Sequence, residues 1–477
     1  MAVIHYRSKL VRLLLLLPVA LLLAGTRPGK TAVDPASFPR VNVQASAGSV
    51  NWANAAIFWF GRATDDDNYT DVRLGYNSQG LYVFATVVDY YLWYDSNAAT
   101  DPRQYDALTL YLDTGGSNAP MPQPTSYVLV SGFRNLFITD DPRWHRQARG
   151  NGSNWDYNWS PPTPWTDDIG LRYGDSGPNN NSDLDAGWAT IFTIPWATLG
   201  LSGPPASGQT WKMGTKLYDR DTPGAGATTT AWPNGFQDAA PETWGRLVFS
   251  PPPYQGSNLP VAGTTVITQG LNGVVVPDAY AGGGSDCSGG VFGGGDQPHP
   301  NTDLFVQNQS DMSDFPCFSK SYLKFDLSTL PSGKTIVSAI LTLHEFGGSD
   351  PGSAKPSLVQ LFTVADGWSE ATLTWNNAPM AHENISSTTV PVLQAPPEWP
   401  GVPNNWNATQ AVAEAHAAGK AVNLALYSAD TAYHSGKYFV SSETGDWNAI
   451  ARPTLTITWA DPSINLTNKV YVPSVSK

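Results

Sequence analysis

Charge is scarce in this sequence: Asp, Glu, Lys and Arg make up 14% of its 477 residues, against about a quarter in ordinary soluble domains. The charge that is present runs negative, with 27 basic against 40 acidic residues and a net of −13. A nucleic-acid surface needs concentrated Lys and Arg, so nucleic acid is excluded as a partner, and adhesion to acidic membrane surfaces is disfavoured. Cysteine is nearly missing. The two present, Cys287 and Cys317, have no nearby His cluster, which argues against a zinc site. Long apolar runs are missing too, with one exception at the start. Arg7, Lys9 and Arg12 precede the run Leu13 to Leu23, and Ala24 and Gly25 follow. This is the layout of a secretory signal peptide, and the run falls short of the roughly 20 residues that span a bilayer. Cleavage after Ala24 and after Ala32 are both compatible, which assigns residues 1–32 to the signal. No Cys follows Gly25, so a lipoprotein attachment site is lacking. The expectation is a protein secreted or held at the cell surface, with no membrane span after signal removal. In that compartment Cys287 and Cys317 are expected to form a disulfide, contributing about 3–4 kcal/mol by loop closure; two buried thiols are the alternative.

Turns and rings are abundant, with 44 glycines, 39 prolines and 18 tryptophans. From Thr70 onward, short words rich in Val, Tyr, Phe and Thr alternate with Gly/Asn/Asp/Pro clusters. "VRLGYN", the turn "SQG" and "LYVFATVVD" read as a hairpin, and "YDALTLYLD", "SYVLVSGF", "AGWATIFTIPW" and "TWKMGTKLYDRD" continue the pattern. Strands recur without useful helical periodicity, which predicts an all-β chain of two β-sandwich, jelly-roll-like domains. The prolines of "SPPPYQGSNLP" break the rhythm and, staying extended without donating hydrogen bonds, mark a joint. The expected plan is a sandwich over 35–250, a Pro-rich linker over 251–260, a second sandwich over 261–460 and a tail over 461–477. One helix is expected, in "NATQAVAEAHAAGK", with Asn407 as N-cap and Gly419 as terminator. The glycine-rich stretch from Ala281 to Pro300 lacks the setting of a phosphate loop and reads as a long loop.

In the second half, "DGWSEATLTWNNAP" (Asp366–Pro379) sets Glu370 between Trp368 and Trp375. A glycosidase needs a second carboxylate at a defined separation, and none is evident locally. "ATLTW" reads as a strand, Asn376-Asn377 as a turn with side-chain hydrogen bonds to the backbone, and Glu370 as a residue that caps or bridges a loop. With "SYLKFDLSTLP", "VSAILTLHEF", "TQAVAEAHAAGKAVNLALY", "FVSSE" and "RPTLTITW" in order, residues 261–460 resemble the DNRLRE-type domain related to carbohydrate-binding family 96. The resemblance implies a non-catalytic β-sandwich attached to wall, matrix or polysaccharide-processing proteins, some members binding acidic polysaccharide.

Residues 35–250 resemble the family 9 carbohydrate-binding module, one of the DOMON-like sandwiches, through "LYVFATVVD", "DPRQYDALTLYLDTGG", "TIPWATLGL", "KLYDRD" and "WGRLVF". The resemblance implies a sugar held between two aromatic rings. Aligning the family's strand Asp with Asp106 puts Arg103 where the first stacking tryptophan stands. The second ring falls on Asp238, with Phe236 and Trp232 nearby. The apolar C–H face of a pyranose stacks favourably on indole, and loops are where binding residues concentrate. Trp93, Trp144, Trp155, Trp159, Trp165 and Trp232 look exposed, and "NWDYNWSPPTPW" holds the densest cluster. Candidate ligand-binding residues are therefore Trp93, Arg103, Asp106, Trp155, Trp159, Trp232 and Phe236, while Trp155 and Trp159 would equally serve to cover a sandwich edge. Trp188, Trp196, Trp211 and Trp244 sit in strand words and are expected in the core.

"TDDDNYTD" and "DRD" supply oxygen ligands suited to structural calcium at Asp65, Asp66 and Asp67 or at Asp219 and Asp221; a solvated acidic turn is the alternative. His145, near Arg143 and Arg146, is the one local cluster an enzyme reading would use. Met121 and Met213 are the haem-ligand candidates that a DOMON-like relative would suggest. No catalytic residue and no other cofactor are expected. The function expected is a secreted, non-catalytic protein that attaches to extracellular polysaccharide or cell-envelope glycan. The alternatives are a structural surface-layer or matrix protein without glycan affinity, and a divergent glycoside hydrolase or polysaccharide lyase.

Overall fold

Turn chemistry and period-two alternation place the strands. In the computed structural model, which describes residues 38–95, 100–134, 145–171, 180, 182–282, 295–308, 318–348, 352–393, 397–432 and 434–462, they form four largely antiparallel layers. Asn77 illustrates the local logic: its side-chain oxygen accepts the amides of Gln79 and Gly80. That closes the turn between the strands Tyr69–Tyr76 and Gly80–Val88.

The first half is a sandwich. Its outer sheet runs Arg40–Val43, Gly245–Phe249, Thr210–Asp219, Ala107–Asp113, Ser126–Gly132, His145–Gly150 and Trp155–Asp156, with Thr228–Trp232 alongside Thr210–Asp219. Its inner sheet runs Ala56–Phe60, Tyr69–Tyr76, Gly80–Val88, Trp188–Pro195 and Thr166–Leu171. The second half repeats the plan. An inner sheet runs Asp278–Gly282, Ser319–Phe325, Val422–Ser428, Ser357–Val364 and Ala381–Val390. An outer sheet runs Gly263–Thr268, Thr454–Ala460, Thr335–Gly348, Lys437–Phe439 and Leu304–Val306, with Val402–Asn407 paired to Thr335–Gly348. The chain is thus all-β, built of sandwiches. Trp188, Trp196, Trp211 and Trp244 are buried: Trp188 and Trp211 on strands, Trp196 in the 3-10 turn Trp196–Leu199, and Trp244 just ahead of the strand Gly245–Phe249 and under neighbouring rings.

The two sandwiches do not stand apart. Every residue of Tyr69–Tyr76 is buried, and a strand buried on both faces requires a layer on each side. Val72 and Leu74 join the core of the first sandwich, while Tyr69, Asp71 and Arg73, on the other face, meet the inner sheet of the second. Asp71 is the hub of that meeting. It accepts hydrogen bonds from the hydroxyls of Tyr69 at 2.5 Å and Tyr427 at 2.8 Å, and from the Asn308 amide at 2.9 Å. Arg73 lies at 3.8 Å and donates to the Ala429 carbonyl across the junction. Lys320 donates to Tyr69 Oη at 2.9 Å and sits inside a cage of Trp375, Trp59, Tyr69 and Tyr427, its Nζ 3.6 Å from the Trp375 ring centre. Burial pushes the Lys320 ammonium well below its usual range, and Asp71 opposes that shift. At the edge, Asn42 and Asn384 exchange three amide hydrogen bonds, and Arg40 pairs with Glu383. That pairing makes the first outer sheet and the second inner sheet one ladder of 13 strands.

Residues 251–262 carry no strand, yet Ser257 donates to Ile336, so the proline segment is fastened to the second sandwich. The helix is Thr409–Ala417, starting one residue later than a cap at Asn407 implies; Asn407 ends a strand, and its side chain accepts the Thr409 amide. Gly419, at φ +64°, closes it in the left-handed region that favours glycine. The strand expected for Ala371–Trp375 does not form. Glu370–Thr372 is a 3-10 turn, and Asn377 bonds to Thr374 N and Thr372 O, occupying backbone groups that a ladder would use. The Asn376-Asn377 turn itself is present. The signal segment, Cys287, Cys317, Arg143, Trp144 and residues 463–477 lie outside the described residues.

The junction carries a thermodynamic expectation. Asp71→Ala removes the shared acceptor of two buried phenols and the Asn308 amide and the counter-charge beside Arg73, so urea denaturation should show a loss of about 3–5 kcal/mol. The wild-type protein should unfold in one calorimetric transition; two separated transitions would contradict a fused core.

Candidate functional site

The outward face of the first outer sheet carries rings. Tyr111 packs against Phe236 at 4.9 Å and Trp244 at 5.5 Å, and Trp155 lies parallel to Trp244 at 6.3 Å. Gly214 sits beneath Phe236, where an added Cβ would come within 2.2 Å of the ring. Trp155, Phe236 and Tyr218 are half-exposed and Tyr157 is exposed. Arg103 and Asp238, where the resemblance places the stacking pair, both lie close enough to Tyr111 to act on its hydroxyl electrostatically. Arg103 is forked onto Asp101, stacked over Tyr157 and hydrogen-bonded to its hydroxyl, and Asp238 pairs with Lys216 at 3.1 Å. The two-ring clamp is therefore replaced by a ring-floored surface with charged rims.

Other ring candidates are corrected by burial. Trp93 is 8% exposed and Trp232 1%; Trp232 packs against Phe58 at 4.2 Å inside the sandwich, which is what its position at the end of a paired strand requires. Trp165 is also buried, between His145 and Phe192. Trp159 is half-buried on Tyr127 and covers the core's edge. Asp106 is fully buried and accepts the amides of Trp93 and Arg220. It fixes two loops and offers nothing to solvent.

Asp106 also borders a carboxylate cluster. The two calcium alternatives of the sequence prove to be neighbours, because the Asp65–Asp67 turn and Asp219–Asp221 approach each other, with Asp66 and Asp67 raising the pKa of Asp219. The group that closes tightly is Asp89, Asp219 and Asp221, one oxygen from each lying within 4.8 Å of the others. Asp89 was missed because it enters from a strand end distant in sequence. Asp67 is engaged by Arg62 and Thr230, and Asp65 and Asp66 are exposed. Burial, then the neighbouring carboxylate of Asp221, pushes Asp219 up to about 7; burial, then Asp66 and Asp65, pushes Asp221 up to about 6. Asp89 Oδ2 and both oxygens of Asp219 are buried with no donor in hydrogen-bond geometry among the described residues, and the Asn68 side chain is near enough to Asp219 to favour its charged form. Hard oxygen donors in this state fit a calcium ion.

The described part of the His145 cluster is an ion-paired, ring-stacked network. His145 bonds to Asp167 and stacks on Trp165, and Arg134 and Ser131 share the same carboxylate. Met121 is exposed on a loop and Met213 lies in the core.

A second aromatic surface, absent from the sequence-based candidates, lies on the second half. On the outward face of its outer sheet, Phe305 meets Tyr438 at 4.7 Å, Tyr438 meets Phe346 at 6.5 Å, and Phe346 is stacked on Trp399 at 6.2 Å. Trp399 meets Trp447 edge-on at 5.0 Å. Trp399 is 55% exposed and Trp447 69%. Trp399 sits in a turn and Trp447 in the 3-10 helix Asp446–Ala451, far apart in sequence, so no local pattern links them.

Residues 300–459 match the sequence model of carbohydrate-binding module family 96. No curated protein matches the sequence. Among solved structures, the chain is similar to a family 9 carbohydrate-binding module from Caldicellulosiruptor kristjanssonii in complex with cellotriose, at 16% identity and a TM-score of 0.31, covering 47% of this chain and all (100%) of that one. It is also similar to a putative carbohydrate-binding protein from Bacteroides uniformis, at 13% identity and a TM-score of 0.29, covering 45% of this chain and 100% of that one.

Burial works to raise the pKa of Asp167, but His145 and Arg134 outweigh it and hold the carboxyl at about 2. A depressed folded-state pKa contributes stability that is present above the unfolded value near 4 and is lost as pH falls toward 2. Urea midpoints should fall across that window by about 2 kcal/mol in free energy, and Asp167→Asn should flatten the dependence.

Proposed function

We propose that this is an exported, non-catalytic protein that attaches to extracellular polysaccharide or cell-envelope glycan. The observation that carries the reading is the Trp399–Trp447 pair, two indoles in mutual contact and more than half exposed. It lies inside the segment that matches a carbohydrate-binding family. Exposing large rings to water is unfavourable unless a partner covers them, and the C–H face of a sugar is such a partner. The half-exposed rings around Tyr111 supply a second platform, with Arg103, Lys216 and Asp238 available to hydroxyl groups. Shallow platforms bind weakly one at a time, and two on one chain strengthen attachment to a polymer through effective concentration. Export is read from the segment ahead of Ala24; among the described residues, no helix is long and apolar enough to cross a membrane. Calcium at Asp89, Asp219 and Asp221 is part of this reading, as a brace for the loops beneath the first platform.

Retention on a panel of soluble and insoluble polysaccharides tests the attachment. Trp399→Ala and Trp447→Ala should each weaken binding about tenfold, equivalent to about 1.4 kcal/mol, with Trp155→Ala lowering the remainder. A double variant retained like the wild type would remove the Trp399–Trp447 platform. Release of reducing ends or unsaturated sugars by the wild type would replace attachment with catalysis. For the brace, calcium should raise the melting temperature of chelator-treated protein, and Asp219→Asn should abolish that component of the rise.

A further inference from the structure

The proline joint is fastened at both ends. At Ser250 the amide donates to the Val43 carbonyl and the hydroxyl meets that of Tyr76 at 2.6 Å, which ties the joint to the first sandwich. Farther along, the Ser257 amide donates to Ile336, and Gly256 lies so close to the Val337 carbonyl that no Cβ would fit, which ties it to the second. Pro251, Pro252, Pro253 and Tyr254 span the interval, and consecutive prolines hold such a span extended. They form one wall of a groove of about 670 Å³ to which both halves contribute residues. The base of the groove is a lattice of amides. Asn42 Nδ2 donates to Glu383 and to the Asn384 carbonyl, both at 2.8 Å, and Asn384 Nδ2 donates to the Asn42 carbonyl at 2.9 Å and to Gln360 at 3.3 Å. Gln410, on the helix Thr409–Ala417, donates to Glu383 and to Glu414, both at 3.1 Å. Above this fixed base some capacity is unused. Gln44, Asn54 and Ser387 line the groove and are exposed, and among the described residues their side chains make no hydrogen bond. Tyr254, in the wall, is 43% exposed.

The lining selects by hydrogen bonds rather than by charge. Its charged residues are Arg40, Glu383 and Glu414, and Arg40 is paired with Glu383. No cation is left over to hold an acidic ligand, and Glu414 opposes one. An amide head presents donors and an acceptor on one plane, which complements the neighbouring hydroxyls of a sugar, and the phenol ring of Tyr254 suits its C–H face. The volume falls in the range of about 300–1,000 Å³ that small-ligand sites occupy. Groups already held by one another need little ordering when a ligand arrives. We infer that this groove binds a stretch of neutral glycan chain, with Gln44, Asn54 and Ser387 on its hydroxyl groups and Tyr254 on a ring face. The class of ligand rests on the attachment reading. The site is new to it, sharing no residue with either aromatic platform and existing only where the two halves meet.

The full chain carrying Trp155→Ala, Trp399→Ala and Trp447→Ala together, which removes indoles from both outward platforms, is titrated by calorimetry. The probes are cellohexaose, xylohexaose, mannohexaose and laminarihexaose, with an oligogalacturonate of equal length as the acidic control. This protein should bind at least one neutral probe and not the acidic one. Adding Tyr254→Ala, or Gln44→Ala with Asn54→Ala, should weaken that binding at least tenfold and leave the melting temperature unchanged, because these side chains are exposed. Absence of binding to every neutral probe, binding of the oligogalacturonate as tight as that of the neutral ones, or binding that both groove variants leave intact would overturn the inference. The two readings fail differently. If the platforms alone hold glycan, the wild type binds the probes and the three-indole variant does not. If the groove alone holds it, the three-indole variant binds like the wild type and the groove variants lose binding.

Discussion

A buried carboxylate organises this molecule. Asp71 would be expensive in an apolar interior without compensation, and three donors and a guanidinium gather on it from three strands or loops of two sandwiches. Breaking the junction would strand every one of those groups. That asymmetry, modest net gain when complete and large loss when opened, is why the inner sheets face each other rather than solvent. Lys320 completes the arrangement by bringing aromatic faces from both halves around one amine.

Once the inner sheets are committed to each other, only the outward faces and loop ends are left for recognition. Both aromatic platforms lie there: Tyr111, Phe236 and Trp155 on one outer sheet, Phe305, Tyr438 and Phe346 on the other, extended by Trp399 and Trp447 from loops. The acidic cluster of Asp89, Asp219 and Asp221 follows a related logic: it sits where strand ends converge and leaves buried oxygens without a donor in hydrogen-bond geometry among the described residues.

Most of the strand order could be read locally. The hairpin around Asn77, the strands at Gly263–Thr268 and Thr454–Ala460 and the helix ended by Gly419 all rest on side-chain period and turn chemistry, which act over a few residues. "ATLTW" misled because its alternation is that of a strand, while Asn377 offers its backbone a nearer partner. The exposed rings were legible only as a list of types. Trp93 and Trp232 look the same in sequence as Trp399 and Trp447, and nothing within ten residues of either pair says which will be covered.

The sequence by itself determined an all-β chain of two sandwiches rich in rings and poor in charge, because periodicity, glycine, proline and composition are local or global quantities that need no coordinates. Tertiary structure alone decided which rings reach solvent, that Asp89 joins Asp219 and Asp221, and that the halves share a core. Exposure and charge clustering depend on which distant segments pack together, and a carboxylate's chemistry is set by neighbours that the chain order does not name.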